Sequence, residues 1–270
     1  MLAEKYLRHD MMPHIWCPGC GHGIIMNAVI RAIDKLGLDQ DKTVIVSGIG
    51  CSSRASGYMD FDTLHTTHGR ALAFATGVKL ANPELNVIVL TGDGDCLAIG
   101  GNHFIHACRR NIDITTIIFN NNIYGMTSGQ CSPMTPHGRY ATTAPYGNVD
   151  RDFDLCDLSR AAGATYVARG TAYHAAMLTD LVVKAIENKG FSVVEALSQC
   201  PTYYGRKNKL GTAIDMLNWQ KDHAVTAAAA ARLSPEQMMD KFIIGELYKG
   251  SAPEYTAEYD KIIASLQGKE

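Results

Sequence analysis

The chain has almost no excess of either charge. Across 270 residues, 25 Lys and Arg stand against 27 Asp and Glu, a formal net charge of −2. A nucleic-acid binder would carry a basic stripe, and none is present. No apolar run approaches the ~20 residues that cross a bilayer. The opening stretch, MLAEKYLRHDMMPHIWC, lacks the basic-then-apolar order of a secretory signal. The expectations are therefore no nucleic acid, no membrane and a cytoplasmic location. No repeat of solenoid period and no low-complexity segment is present. Charged residues are scarce at 19% and apolar ones make up 46%. Such a chain buries a sizeable core rather than staying disordered. Its length suits one large domain with at most a modest appendage.

Cysteine is what the chain has in plenty, with eight. In a reducing compartment such a count means metal, redox chemistry or buried thiols.

The dominant rhythm is β then α. Apolar residues recur at helical spacing over 21–37 and stop at Gly37. Residues 43–49 are a continuous β-branched run that suits a strand covered on both faces. The spacing predicts helices over 68–81, 97–110, 154–163 and 173–188. It predicts strands over 86–92, 113–120, 165–168 and 191–197. This alternation implies an α/β fold, a parallel sheet with helices on both faces. Two regions fall outside it. Residues 121–153 form a long Gly/Asn/Thr/Pro loop, a length that is usually functional. The tail from about 202 contains an alanine run at 227–231 and an expected helix over 235–248. A first domain over 1–225 and a helical extension over 226–270 are expected.

Four constellations carry chemistry. Gly92-Asp93-Gly94-Asp95 follows a predicted strand and so sits at the carboxyl edge of the sheet. Asp93 offers a hard oxygen to a divalent cation. One crossover unit later come Asn120, Asn121 and Asn122 at the same edge. Both motifs are also turn compositions. Their spacing around a single βα unit favours Mg²⁺ bridging a diphosphate, where open α/β sheets bind such ligands.

Cys17-Pro-Gly-Cys20 is ambiguous alone between a redox pair, half a zinc site and half a cluster site. Cys51 and Cys200 follow predicted strands and reach the same edge, so four thiolates can converge on a [4Fe–4S] cluster. Cys131, in the long loop, is the rival fourth ligand. Cys96, Cys108 and Cys156 read as core thiols. His65 and His68 form an HxxH pair without further zinc ligands nearby. His68 and Arg70 precede a helix, where anions bind. Arg206-Lys207-Asn208-Lys209 is either a solvated basic loop or a clamp for a substrate carboxylate.

These motifs resemble a known family. GDGD with Asn120-Asn121 resembles the thiamine diphosphate fingerprint. PHIWCPGCGHG at 13–23, SGIGCSSR at 47–54, THGRA at 67–71, NNNIYGMTSGQ at 120–130 and CPTYYGRKNK at 200–209 together resemble the β subunit of the 2-oxoacid:ferredoxin oxidoreductases, most of all the 2-oxoglutarate branch. The resemblance runs over about residues 5–225. It implies the thiamine diphosphate-binding fold. It implies Mg²⁺ on Asp93, Asn121 and the Ile123 carbonyl, and a cluster on Cys17, Cys20, Cys51 and Cys200. It implies thiamine diphosphate among Ile49, Gly50, Cys51, Ser52, His68, Gly92, Gly94, Asp95, Gly125 and Met126. The implied reaction converts a 2-oxoacid and coenzyme A to acyl-CoA, CO₂ and two electrons for ferredoxin. For 2-oxoglutarate the product is succinyl-CoA, with Arg206 and Lys207 as candidate carboxylate contacts. Pyruvate, a branched-chain acid and non-redox decarboxylation are the alternatives, and a non-catalytic iron–sulfur carrier is a rival. Thiamine enzymes also need a carboxylate against the aminopyrimidine, on a domain this chain has no room for. The resemblance assigns it to a separate α subunit in an (αβ)₂ or larger assembly, leaving this chain inactive alone.

Overall fold

A computed structural model describes residues 2–268. Eight strands form one sheet: β1 Thr43–Ser47, β2 Asp62–His65, β3 Asn86–Gly92, β4 Thr115–Asn120, β5 Tyr166–Thr171, β6 Ser192–Leu197, β7 Ala224–Thr226 and β8 Phe242–Lys249. Their spatial order is β2-β1-β3-β4-β6-β5-β8-β7. The first six are mutually parallel. β8 runs antiparallel to β5 and parallel to β7.

Alternation within the strands builds two apolar layers. Ile45, Ile88, Leu90, Ile117 and Phe119 point to the face covered by helices His22–Leu36 and Ala175–Glu187. Val44, Val46, Val87, Val89 and Ile118 point to the other face, under helices Ala71–Ala81, Gly101–Arg110 and Leu155–Ala162. Strands buried on both sides read as continuous hydrophobic runs. Each fully buried Ile, Leu or Phe contributes roughly 2 kcal/mol. Helix ends follow the sequence. Gly37 is left-handed at the first C-cap, and Asp154 caps Leu155–Ala162 by accepting from Cys156 N and Asp157 N.

The tail corrects one expectation. Only Pro235–Met238 of the expected helix over 235–248 is helical, and Phe242–Lys249 is a strand. A Phe-Ile-Ile run fits both periods, and the free edge of β5 decides between them by offering backbone partners. Residues 226–270 are thus not purely helical. They add a strand to the sheet, two short helices and the helix Tyr255–Gln267. Asp62–His65, for which the sequence suggested no strand, pairs with β1 as the opposite edge strand.

No helix among the described residues is long and apolar enough to cross a membrane.

Candidate active site

The carboxyl ends of β1, β3 and β4 carry a shallow cleft of about 90 Å³. It is lined by Ile49 to Ser52, His68, Gly92 to Asp95, Asn121, Ile123 to Thr127, His22 and Phe119. Ten thiamine contacts and three Mg²⁺ ligands were expected from the sequence, and all of them border this one cleft.

Two aspartates two residues apart do different work. Asp95 is 3% exposed, and both its carboxylate oxygens are hydrogen-bonded. It accepts from Ile49 N at 3.2 Å, Gly69 N at 2.7 Å and Thr91 Oγ1 at 2.7 Å, and it bonds His68 Nδ1. One side chain therefore ties the ends of β1 and β3 to the turn before Ala71. Gly48 is required there, because a Cβ would fall 2.1 Å from an Asp95 oxygen. Asp95 thus shapes the cleft that it also borders.

Asp93 is as buried, at 2%. Its one side-chain donor is Ser132, at 2.6 Å. Burial pushes its carboxyl up to about 7, against bonds from Ser132 and the neighbouring backbone. No cation of the described residues pairs with it. A buried carboxylate in that state suits a divalent cation. Asn121 and Ile123 stand beside it, Asn121 Oδ1 accepting from Ile123 N at 3.3 Å. Tyr124 closes the loop by donating to Gly94 O at 2.8 Å. Its ring lies so near that a Cβ on Gly94 would come within 2.4 Å of it.

A second cavity of about 240 Å³ abuts the first. Cys17, Cys20, Cys51 and Cys200 all line it, with Ile15, Trp16 and the segment 201–203. Cys51, Asn121, Gly125 and Met126 border both cavities. Three segments deliver the thiols. Cys20 N donates to Cys17 O at 3.0 Å, closing the Cys-Pro-Gly-Cys turn. Gln199 holds that turn beside Cys200 through Nε2 to Gly19 O, at 3.1 Å. Trp16 Nε1 donates to Cys51 O at 2.7 Å. All four thiols are free. Burial pushes Cys20 up to about 12 and Cys51 up to about 11, and neighbouring thiols add to both. No three His, Cys, Asp or Glu groups of the described residues converge tightly enough for a single ion. A ring of thiols around a cavity suits a larger, soft-ligand group instead.

The thiamine pyrophosphate enzyme C-terminal TPP-binding domain matches residues 48–196. A 2-oxoglutarate synthase subunit KorB from Methanocaldococcus jannaschii is 52% identical over 267 residues, 99% of each chain. The subunit of the same name from Archaeoglobus fulgidus is 60% identical over 205 residues, 75% of this chain and 76% of its own. The solved 2-oxoglutarate:ferredoxin oxidoreductase from Magnetococcus marinus, with 2-oxoglutarate, coenzyme A and succinyl-CoA bound, matches with a TM-score of 0.88. It is 38% identical and is covered over 99% of this chain and 91% of its own. The chain belongs to the KorB family of 2-oxoglutarate synthase subunits.

As a KorB-family subunit it is part of an oxidoreductase, binds thiamine diphosphate through the matched domain and works with a partner chain. Some expected residues lie elsewhere in the structure. Arg206 and Lys207 are exposed and do not line the cofactor cleft. Lys207 borders a separate groove with Arg139 and Lys209. The run follows the turn Pro201–Gly205 and stands outside the cleft formed by this chain. Arg70 donates to Ile99 O at 2.8 Å, bracing two loops. His65 and His68 make no metal pair, since His68 is committed to Asp95 and His65 ends the edge strand. Cys131 is half-buried and borders neither cavity. Cys96, Cys108 and Cys156 are buried in the second apolar layer, as expected of core thiols.

Three bordering or supporting residues had no role in the sequence reading. His22 is buried, packs edge-on to Phe119 and Trp16, and bonds Ser198 Oγ at 3.0 Å through Nδ1. Burial lowers its pKa to about 4, so it is neutral. Tyr124 and Ser132 act across 30 and 39 residues of chain, beyond any local signal. His22 and Tyr124 stand inside motifs quoted above, which was the only hint.

Proposed function

We propose that this KorB-family subunit carries thiamine diphosphate, Mg²⁺ and one [4Fe–4S] cluster. With its α subunit it converts 2-oxoglutarate and coenzyme A to succinyl-CoA and CO₂, passing the electrons to ferredoxin. The observation that carries the reading is the shared wall of the two cavities, one with a buried hard-oxygen donor set and one ringed by four thiols.

The residues fit each group. Asp93, the Asn121 amide oxygen and the Ile123 carbonyl would hold Mg²⁺. Ile49 to Ser52, His68, Gly92, Gly94, Asp95, Gly125 and Met126 would border the cofactor. Cys17, Cys20, Cys51 and Cys200 would ligate the cluster. When bound, thiamine diphosphate supplies an electron sink for decarboxylation, and the cluster supplies one-electron steps. The chain's own residues do the rest. Asp95 fixes the loops around the diphosphate position, Ser132 orients Asp93, and neutral His22 keeps the floor uncharged. A cleft of about 90 Å³ is far below the volume that encloses a ligand of this size. The outer part of thiamine would therefore project toward a partner, consistent with an α subunit that supplies the missing carboxylate. Arg206 and Lys207 do not border the cleft formed by this chain, so as carboxylate contacts they would act in the assembled complex.

The test is anaerobic co-purification with the α subunit, then iron, sulfide and thiamine analysis. kcat/KM for 2-oxoglutarate, pyruvate and 2-oxoisovalerate follows. The expected result is about four irons per chain, stoichiometric thiamine and preference for 2-oxoglutarate. Thiamine without iron would select the non-redox decarboxylase, and iron without thiamine the electron carrier.

A further inference from the structure

A carboxylate interrupts the second apolar layer. Val193 on β6 points into that layer, and Glu195, two residues on, shares its face and is 1% exposed. Its partner stands directly across the ladder. Arg169 on β5 is in register with Glu195, and Arg169 Nε donates to Glu195 Oε2 at 2.6 Å. Cys156 Sγ donates to the same oxygen at 3.3 Å. Arg169 also reaches Asp154, the cap of Leu155–Ala162, at 3.4 Å. A buried ion pair is a weak source of stability, because desolvation offsets its attraction and an apolar pair of similar volume often serves as well. The other oxygen of Glu195 shows what the carboxylate does.

Asn120 Nδ2 donates to Glu195 Oε1 at 2.7 Å, and Asn120 Oδ1 accepts from Asn122 N at 3.1 Å. A carboxylate only accepts, so it fixes which end of the amide faces it. The carbonyl end is thereby turned toward Asn122. That residue is left-handed, with φ at 60°, a conformation that Asn tolerates but that needs support from its surroundings. Asn120 supplies the support on one side, and Thr135 Oγ1 supplies it on the other by donating to Asn122 O at 2.6 Å. The start of the turn is anchored to the end of β6, Asn120 O accepting from Ser198 N at 2.8 Å. Asn121 and Ile123 flank Asn122. Whatever sets Asn122 therefore sets the Asn121 side chain and the Ile123 carbonyl relative to each other. Glu195, Arg169 and Asn120 do not border the cofactor cleft themselves.

We propose that Glu195 is a positioning residue for Mg²⁺: through Asn120 it holds the left-handed turn that presents Asn121 and the Ile123 carbonyl to the ion. The inference rests on the Mg²⁺ assignment above and adds what keeps two of its ligands in place. Arg169 keeps the carboxylate from being buried alone. An outer bond of this kind tightens binding by removing freedom from the ligands before the ion arrives. The site then has two independent supports, Ser132 for Asp93 and Glu195 for the turn.

The experiment uses the anaerobic αβ complex, freed of Mg²⁺ and thiamine diphosphate by chelation and gel filtration. It is titrated with Mn²⁺ at saturating thiamine diphosphate, and free Mn²⁺ is read by electron paramagnetic resonance, so no turnover is needed. Glu195→Gln with Arg169→Met keeps an acceptor for Asn120 without the charge, and should bind Mn²⁺ within about threefold of wild type. Glu195→Leu with Arg169→Met has no acceptor, and should bind at least about tenfold more weakly. Both should melt close to wild type and keep their iron. Asn120→Ala should weaken Mn²⁺ binding by a similar factor of about ten. Added to the Leu variant it should cause no further loss, because one path is then cut twice. Equal Mn²⁺ binding by the Gln and Leu variants would overturn the positioning role, and so would a further loss on adding Asn120→Ala. If the Leu variant does not assemble, Asn120→Ala alone decides, and wild-type affinity there overturns the role. These outcomes leave the Mg²⁺ assignment standing. A wild-type complex that takes up no Mn²⁺, or full uptake by Asp93→Ala, would remove that assignment and the role of Glu195 with it.

Discussion

The two adjoining cavities are organised in opposite ways. The cofactor cleft is shaped from within: Asp95 alone bonds three loops, and Gly92 and Gly94 leave no room for a side chain. The thiol cavity is shaped from without. Its sulfurs come from three separate segments held by backbone bonds and by Gln199 and Trp16, and no thiol is bonded to another. One site is a rigid mould and the other a ring of donors awaiting a common ligand. A variant in the mould should therefore lower stability, whereas one in the ring should lower occupancy.

The sharpest break would come from the fourth thiol. Cys200→Ser should lose essentially all iron and sulfide while keeping thiamine binding, and Cys131→Ser should keep both. Metal analysis and visible absorption read this directly. Iron lost from the Cys131 variant and kept in the Cys200 variant would move the ring's fourth member to the loop.

Next come the paired aspartates. Asp93→Ala should weaken thiamine diphosphate binding with Mg²⁺ by at least about 100-fold, near 3 kcal/mol, with little change in melting temperature. Asp95→Ala should instead cost about 2–4 kcal/mol of stability, because four donors lose their acceptor. Calorimetry of binding and of unfolding separates the two. The opposite pattern would show that the mould and the ligand site have been exchanged.

A smaller effect is expected where the loops touch. Gly94→Ala drives a methyl into the Tyr124 ring, which should weaken cofactor binding about tenfold. Adding Tyr124→Ala should recover part of that loss. No recovery would mean that Gly94 serves the ligand rather than its neighbour.

The smallest effect lies far from both cavities. Burial works against the charge of Glu254. Bonds from Thr256, Ala257 and Asp113 outweigh it and hold its carboxyl below the usual range. That stabilisation is present above the ordinary carboxylate pKa and is lost as pH falls through the lowered one. Hydrogen exchange in Tyr255–Gln267 should therefore rise as pH drops below about 4, while the cofactor loops keep their protection. Glu254→Gln should show the raised exchange already at neutral pH.

Most of this was legible because it is local. Continuous β-branched runs announced doubly covered strands, and glycines around Asp93 announced a turn at a strand end. Cys51 and Cys200 could be placed at one edge from strand ends, and the resemblance joined Cys17 and Cys20 to them. What stayed hidden depends on contacts distant in sequence. Ser132 reaches Asp93 across 39 residues, and nothing about a serine in a polar loop signals that. Asp95 read only as a cofactor neighbour, because sequence cannot show the four bonds by which it also ties the loops together. That Arg206 and Lys207 stand outside this chain's own cleft follows from a turn after Cys200 that no residue pattern announced. The strand β8 needed the knowledge that β5 had a free side.

That last strand has a consequence for how the molecule is made. During synthesis, β5 leaves the ribosome more than 70 residues before β8, so for that interval its outer row of amides and carbonyls faces water unpaired. A nascent chain in this condition is a template for its neighbours on the same message. Folding yield should then depend on how quickly translation proceeds from Tyr166 to Lys249, and products that terminate before Phe242 should collect in inclusion bodies even though both cavities are already encoded.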